Sequence, residues 1–256
     1  MLRNTRSVAF GQIECLKSRE IVKYYYYMNY SYICVIIKHM SKLTRQISKL
    51  DNKVVRPSML DYVNPSAELK RLELSGAVLR LAHGYYSIVP ENWREPNTKW
   101  IPTLEAAALG VAITDYGMKS VALIGPSSVR VQNRYPRPFG VAVVAIPKQR
   151  PPLKTKVGTV YFVKRDVAKL DLVSIKTGLC SGYATSLEET FIDLLRTHPD
   201  WQIGDSARQE MIHTLYGIVD MDKVIGLAKK HRGINALLNV TQYSSNYFGA
   251  LEPIAV

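Results

Sequence analysis

Apolar residues that follow residue 41 recur first at the spacing of helices and then at the spacing of strands. Lys42 to Leu50 places its apolar residues on one face, which predicts a short amphipathic helix. An extended piece at 54–55 follows, and Pro57 opens a second short helix. Asn64 and Pro65 predict the start of a third helix, because asparagine caps free amides and proline is tolerated in the first helical turn.

The third helix leads into a strand pair. It covers residues 65–75, and Gly76 is placed to end it in the left-handed conformation. Residues 77–81 and 85–89 then form a hairpin around a tight turn. Three short helices followed by a hairpin are typical of a winged helix-turn-helix, so the pattern predicts this DNA-binding domain for residues 40–90.

The remainder of the chain predicts a polar linker at 91–102 and a larger domain at 103–256. Thr103 caps a helix that runs to about Asp115. Four runs rich in β-branched residues predict strands, at 121–124, 141–146, 159–163 and 170–175. Four further helices are predicted to begin at Ser186, Asp205 and Asp220, and after Gly233; Ser186 with Glu189 and Ser206 with Gln209 form capping boxes. The predicted fold class is therefore α+β, a winged helix-turn-helix followed by about four strands and then four helices.

The first 39 residues differ in composition from the rest. Six of the 16 tyrosines fall between Tyr24 and Tyr32. The apolar stretch there is shorter than the roughly 20 residues that a membrane span needs. We interpret residues 1–39 as a non-native or disordered extension, with Met40 as the true start. An interfacial anchor and a genuine extra element are the alternatives.

Composition and charge narrow the function classes. With 47% hydrophobic and 21% charged residues, the chain is not a disordered or fibrous protein. Its 34 basic and 21 acidic residues give a net charge of +13, which favours a polyanionic partner. Three cysteines make no disulfide framework, so a reducing, cytoplasmic location without a membrane partner is expected.

The candidate DNA contacts follow from the predicted winged helix. Its third helix would enter the major groove, and the hairpin, or wing, would lie on the phosphates. The candidates are Ser66, Glu68, Lys70 and Arg71 on the third helix, Arg80 and His83 on the wing, and Arg45 and Arg56 on the DNA backbone. The alternative is a winged helix used for protein contacts or dimerisation, with His83 a plain exposed turn residue.

A second basic patch is predicted in loops of the larger domain. It consists of Arg130, Arg134, Arg137, Lys148, Arg150, Lys154 and Lys156, which are interleaved with tyrosine and proline. Such a patch would bind phosphate or an acidic partner surface. Loops that are merely solvated are the alternative.

No catalytic or metal-binding set is predicted, and no cofactor. Gly178 to Gly182 matches the spacing of a nucleophile elbow around Cys180, with His198 or His213 as the base that it would need. A small cysteine without a catalytic role is the preferred interpretation. Zinc spacings and phosphate-cradling loops are missing from the sequence. The protein is therefore predicted not to be an enzyme.

Two segments resemble a known family. The segment RLELSGAVLRLAHGYYSIVP is similar to the N-terminal signature of the AbiEi family of antitoxins, with the pattern standing here as Leu72, Gly76, Leu79-Arg80-Leu81 and Gly84-Tyr85-Tyr86. His83 stands where the family usually has a basic residue. SGYATSLEETFIDLL resembles the second-domain signature, with Glu189 in place of an arginine before Thr190 and Asp193. The likeness covers Met40 to nearly the end.

The resemblance implies a type IV toxin-antitoxin role connected with abortive infection and phage defence. Members of the family are transcriptional regulators that repress their own operon at inverted repeats in double-stranded promoter DNA and counter a nucleotidyltransferase-like toxin. Residues 40–90 would bind DNA, and the antitoxin activity would need the second domain. The alternatives are a plain repressor with a ligand-sensing C-terminal domain, and a DNA-targeted nuclease or Cys hydrolase.

Overall fold

The computed structural model describes residues 42–94, 99–196 and 201–232, together with the helical positions Asn235, Leu238 and Gln242. Within these residues the chain is a mixed α+β structure with seven α-helices and two β-sheets. The predicted fold class is thus confirmed at this level. The predicted N-terminal extension at 1–39, part of the predicted linker and most of the predicted last helix lie outside the described residues.

The elements before residue 90 follow the sequence prediction to within a few residues. They are α1 (Lys42–Lys49), β1 (Val54–Val55), a 3-10 turn (Pro57–Met59), α2 (Pro65–Leu74), β2 (Val78–Ala82) and β3 (Tyr85–Ile88). The three strands form an antiparallel sheet in the order β1-β3-β2. We call β2, β3 and the turn between them the hairpin. The predicted left-handed glycine after the helix is confirmed at Gly76, where φ is +74°, and Gly84 in the hairpin turn has φ of +79°.

The start of α2 corrects one prediction. Pro65 occupies the first turn as expected, but the Asn64 side chain makes no capping hydrogen bond. Asn64 has φ of +55° and ψ of +59°, whereas a capping side chain needs an extended backbone to reach the free amides. Asn64 is therefore tolerated here as a left-handed residue and does not act as a cap.

After residue 90 the chain has more elements than the sequence predicted. They are α3 (Leu104–Tyr116), β4 (Ala122–Leu123), α4 (Pro126–Val131), β5 (Val141–Ile146), β6 (Leu153–Thr155), β7 (Gly158–Lys164), β8 (Leu172–Lys176), β9 (Ser181–Thr185), α5 (Leu187–Leu195), α6 (Asp205–Tyr216) and α7 (Met221–Leu227). Short 3-10 turns lie at Glu91–Trp93, Met118–Ser120 and Val167–Lys169, and Ala228–Arg232 forms a π turn.

The prediction of four strands followed by four helices was wrong in the number of strands and missed one helix. Six strands form one mixed sheet in the order β6-β7-β5-β4-β9-β8, and the unpredicted α4 lies between β4 and β5. The pairs β5/β7 and β4/β9 are parallel, and the other neighbours are antiparallel. The missed strands, β6 and β9, are three and five residues long and rich in small or charged residues. Hydrogen bonds to the neighbouring strands stabilise β6 and β9, and the β-propensity of their own residues does not predict this pairing.

The capping predictions in this part are mostly confirmed. The side chains of Thr103, Ser186 and Asp220 each accept a hydrogen bond from an amide in the first turn of the helix that follows. The predicted cap at Ser206 was wrong. The α6 helix begins at Asp205, as predicted, so Gly204 occupies the cap position and Ser206 is the second residue of the helix.

The large sheet separates two layers of the hydrophobic core. One face packs against α3 and the hairpin, so Leu81 and Tyr85 belong to the same buried cluster as the α3 alanines. Gly110 allows β1 to approach α3, since a Cβ there would lie 2.5 Å from a Val54 methyl carbon. The other face packs against α4 to α7 around Phe191 and Trp201. The core therefore continues across residue 90, and the boundary between two domains there stays a prediction.

Candidate DNA-binding surface

The α2 helix presents a polar, partly basic face. Leu69 and Leu72 are buried, and Ser66, Lys70 and Arg71 are exposed. This division follows from the 3.6-residue helical period, which puts residues 69 and 72 on one side and the basic pair on the other. Lys70 forms no ion pair among the described residues, so it presents its full charge to solvent.

Glu68 and Arg71 form a two-pronged ion pair one helical turn apart. Arg71 Nε donates to Glu68 Oε2 at 2.9 Å, and Nη2 donates to Oε1 at 2.7 Å. The hydrogen bond with Glu68 raises the pKa of Arg71. Although both residues were predicted as DNA contacts, Glu68 orients Arg71 and offsets its charge in this structure.

The hairpin carries the other predicted contacts, Arg80 on β2 and His83 in the turn. Arg80 Nη2 lies 3.0 Å from His83 Nδ1, and His83 is exposed at the turn. An arginine can only donate, so Nδ1 is the acceptor in this arrangement. Arg45, predicted as a backbone contact, is exposed on α1.

Part of the second basic patch lies beside the hairpin. The Lys156 amide donates to the Leu81 carbonyl oxygen at 2.8 Å, which joins the β6–β7 turn to the edge strand β2. Lys156 Nζ lies 3.1 Å from Glu73 Oε1 on α2. Lys154 is exposed on β6. These contacts place Lys156 next to both α2 and the hairpin, which the sequence did not predict.

Two predicted basic contacts meet at a single carboxylate. Arg56 Nη2 lies 2.8 Å from Asp115 Oδ1, and Arg150 Nη1 pairs with Asp115 Oδ2. Arg56 also stacks 4.6 Å from the centre of the Tyr85 ring, and Arg150 stacks 4.4 Å from that of Phe162. We call Arg56, Tyr85, Asp115 and Arg150 the Asp115 cluster. Its two arginines are largely committed to contacts within the protein.

The other members of the second basic patch do not form one surface. Arg130 is largely buried in an ion pair with Glu105, whose pKa is raised by burial against the opposing effect of Arg130. Arg137 pairs with Glu210 at 3.1 Å. Arg134 and Lys148 are exposed in separate loops. The predicted patch is thus divided by the fold: Lys154, Lys156 and the committed Arg150 adjoin the hairpin, and the other members lie elsewhere.

The Cys180 environment does not favour a nucleophile. Burial raises the pKa of its thiol to about 11, and its backbone closes the turn between β8 and β9. The sequence placed Cys180 between a strand and a helix, as a nucleophile elbow requires, and this context was wrong because β9 follows. His213 is exposed on α6, and His198 lies outside the described residues.

Among the residues that the structure describes, no three His, Cys, Asp or Glu side chains are grouped to hold a metal ion. No helix in the described part of the chain is long and apolar enough to cross a membrane.

Asp115 is the functional candidate that sequence reasoning missed. No local motif marks it, because its partners come from three other segments of the chain.

The second family-like motif lies in a buried polar cluster. The hydroxyls of Thr185 and Thr190 lie 2.7 Å apart, and Arg165 Nη1 donates to the buried Asp193 Oδ2 at 2.6 Å. These contacts join the middle and end of α5 to β9 and to the residue after β7.

The sequence matches no protein-family model and no curated protein. The AbiEi resemblance therefore depends on the two sequence motifs alone.

Proposed function

We propose that the protein is a sequence-specific regulator that binds double-stranded DNA through a winged helix-turn-helix. The observation that carries this proposal is the order of α1, the 3-10 turn, α2 and the hairpin along the chain, with the basic face of α2 exposed. In this interpretation α2 is the recognition helix and the hairpin is the wing. The helix reads base edges in the major groove, and the wing lies on the adjacent phosphates.

The basic side chains of α2 and of the hairpin side would make different contacts with DNA. Arg71, held in a fixed orientation by Glu68, presents its guanidinium edge for a guanine or a phosphate. Lys70 supplies a mobile point charge. Arg80, Lys154 and Lys156 give phosphate contacts on the hairpin side. The net charge of +13 adds long-range attraction to DNA.

The test is a DNA-binding titration with the sequence upstream of the gene. Fluorescence anisotropy at several salt concentrations should give an affinity that falls steeply as salt rises, because phosphate contacts release counterions. A scrambled duplex of equal length should bind more weakly. Equal affinity for both duplexes would contradict sequence-specific regulation.

The antitoxin role is the second part of the proposal. It is supported by the two AbiEi-like motifs, and it makes this chain the repressor of its own operon and the counterpart of a nucleotidyltransferase-like toxin. Co-expression with the adjacent reading frame tests it: growth should stop with the toxin alone and resume with both proteins. Absence of a toxic neighbour would favour a plain repressor.

One cavity favours a ligand-sensing repressor as the second candidate. It measures about 460 Å³ and lies at the carboxyl ends of the parallel strands β5 and β7, lined by Lys119, Ser120 and Lys164 among others. Carboxyl ends of parallel strands are common ligand sites, and the lysines suit a small anion. A thermal shift with inorganic phosphate that is lost in Lys164→Ala would support it, whereas the absence of any shift would count against it.

A further inference from the structure

The residues after position 90, which we call the larger part of the protein, contact both strands of the hairpin. On β2, the Leu81 carbonyl oxygen accepts a hydrogen bond from the Lys156 amide. On β3, the Tyr85 hydroxyl donates to Asp115 Oδ2 at 2.6 Å. Tyr85 directly follows the left-handed Gly84 of the turn, so this second contact lies at the turn that carries His83.

The Asp115 carboxylate is the centre of this second attachment. Oδ1 pairs with Arg56, and Oδ2 accepts from both Tyr85 and Arg150. The Tyr85 hydroxyl also accepts from Arg56, and from Arg150 at 3.3 Å. One donor proton and two acceptor positions of the tyrosine hydroxyl are therefore all used. Four segments of the chain meet at this point: the loop after β1, the start of β3, the end of α3 and the β5–β6 loop.

The buried, negatively charged Asp115 carboxylate holds the two arginines of the cluster together. Its side chain is only 9% exposed, and that of Arg150 is 21% exposed. Two guanidinium groups with one carboxylate between them are held by attraction to that carboxylate. Without its charge, Arg56 and Arg150 would repel each other next to the Tyr85 ring. The start of β3 would then lose its anchor.

We propose that Asp115 is a positioning residue for DNA binding, which fixes the turn of the hairpin for phosphate contact. This inference rests on the proposed function. Asp115 itself touches no DNA: it acts through Tyr85 and Arg56 on the hairpin turn, where His83 lies 3.0 Å from Arg80 of β2. The larger part of the protein thereby contributes to DNA affinity through a residue that the DNA does not reach.

The experiment compares Asp115→Asn with a matched control in the same helix. Glu105→Gln also removes a buried, arginine-paired carboxylate from α3, but one at the opposite end of the helix. Tyr85→Phe is the second variant, because it deletes only the hydroxyl and keeps the buried ring. Hydrogen exchange of residues 78–88 and affinity for the upstream DNA duplex are measured for all three full-length variants.

Asp115→Asn and Tyr85→Phe should speed exchange in the hairpin and weaken DNA binding about tenfold, the size of one lost charge-assisted hydrogen bond. The loss should vanish in an Arg80→Ala, His83→Ala background, where the hairpin turn has no contact left to position. Glu105→Gln should change neither measurement beyond its effect on global stability.

The two proposals fail in different ways. If the wild type binds the duplex and Lys70→Ala weakens binding, but Asp115→Asn matches Glu105→Gln in both measurements, the positioning role is overturned and the proposed function stands. If the wild type shows no preference for the upstream duplex, the proposed function is overturned and the DNA role of Asp115 with it, even if exchange in the hairpin responds.

Discussion

Basic side chains in this protein differ in how much charge they offer to a partner. Lys70 forms no ion pair among the described residues, and Arg71 shares its charge with Glu68 on the surface. Arg130 and Arg150 are committed to buried or half-buried carboxylates. The sequence identified all of these residues, but the acidic partners of Arg130 and Arg150 lie 25 and 35 positions away, beyond the reach of any local pattern. A residue's contribution to an interface therefore depends on its partner more than on its type.

The buried pair of Arg165 and Asp193 gives the first prediction. Asp193→Ala should lower the free energy of unfolding by about 3–5 kcal/mol, since it leaves a mostly buried guanidinium uncompensated. Asp166→Ala, which breaks the exposed pair with Lys169, is the control and should cost less than about 1 kcal/mol. Urea denaturation measures both, and equal losses would contradict the ranking.

Cys180 gives the second prediction. With a thiol pKa of about 11, a small fraction of the side chain is thiolate at pH 8, on the order of one part in a thousand. Alkylation by iodoacetamide should therefore be slow in the native protein and fast after unfolding in urea, as resolved by peptide mass spectrometry. Rapid native labelling, or loss of function in Cys180→Ala, would revive the hydrolase alternative.

Some helices and strands follow from the local sequence pattern, and others depend on contacts with residues that are distant in sequence. Helices with clear apolar periodicity and β-branched strands were predicted from the sequence nearly to their ends. The strands β6 and β9 were missed because their stability comes from pairing with β7, β4 and β8. The two sheets approach each other along β2 and β6, through the backbone contact of Lys156 with Leu81. That approach, which decides what lies beside the hairpin, has no counterpart in the sequence pattern.

Helix starts give the third prediction. Asp220→Ala should cost about 1 kcal/mol, because the Asp220 carboxylate accepts from two amides of the first turn of α7. Asn64→Gly should cost nothing and stabilise slightly, because Asn64 makes no cap bond and has a left-handed backbone that glycine adopts freely. Thermal unfolding compares the two; a clear loss in Asn64→Gly would show that Asn64 caps α2 in solution.

At the scale of the whole molecule, the proposed DNA-binding elements and the larger part share one core. Val54, Leu81 and Tyr85 pack in the same buried cluster as α3, and the Asp115 cluster adds a polar attachment. The sequence predicts two domains because a polar segment lies between them, and that boundary stays a prediction. The packing of residues on either side of the segment cannot be predicted from its polarity. A structural change in the larger part is therefore transmitted to the hairpin through the shared core and the Asp115 cluster.

The shared core gives the fourth prediction. A fragment of residues 91–256 should bind a fluorescent apolar dye and unfold at a lower temperature than the full chain, since it uncovers the α3 face that β1 and the hairpin cover. A fragment that unfolds cooperatively at the temperature of the full chain would show that the larger part is an independent domain.

The central claim is that α2 and the hairpin form the DNA-binding surface. The most direct measurement compares the affinity of two charge-matched triple variants for the upstream duplex at fixed salt. Lys70, Arg71 and Arg80 are replaced by alanine in one, and the exposed Lys176, Lys229 and Lys230 in the other, so each variant loses three positive charges. The account predicts a loss of about a hundredfold or more in the first variant and a few-fold loss in the second. Equal losses in the two variants would contradict it.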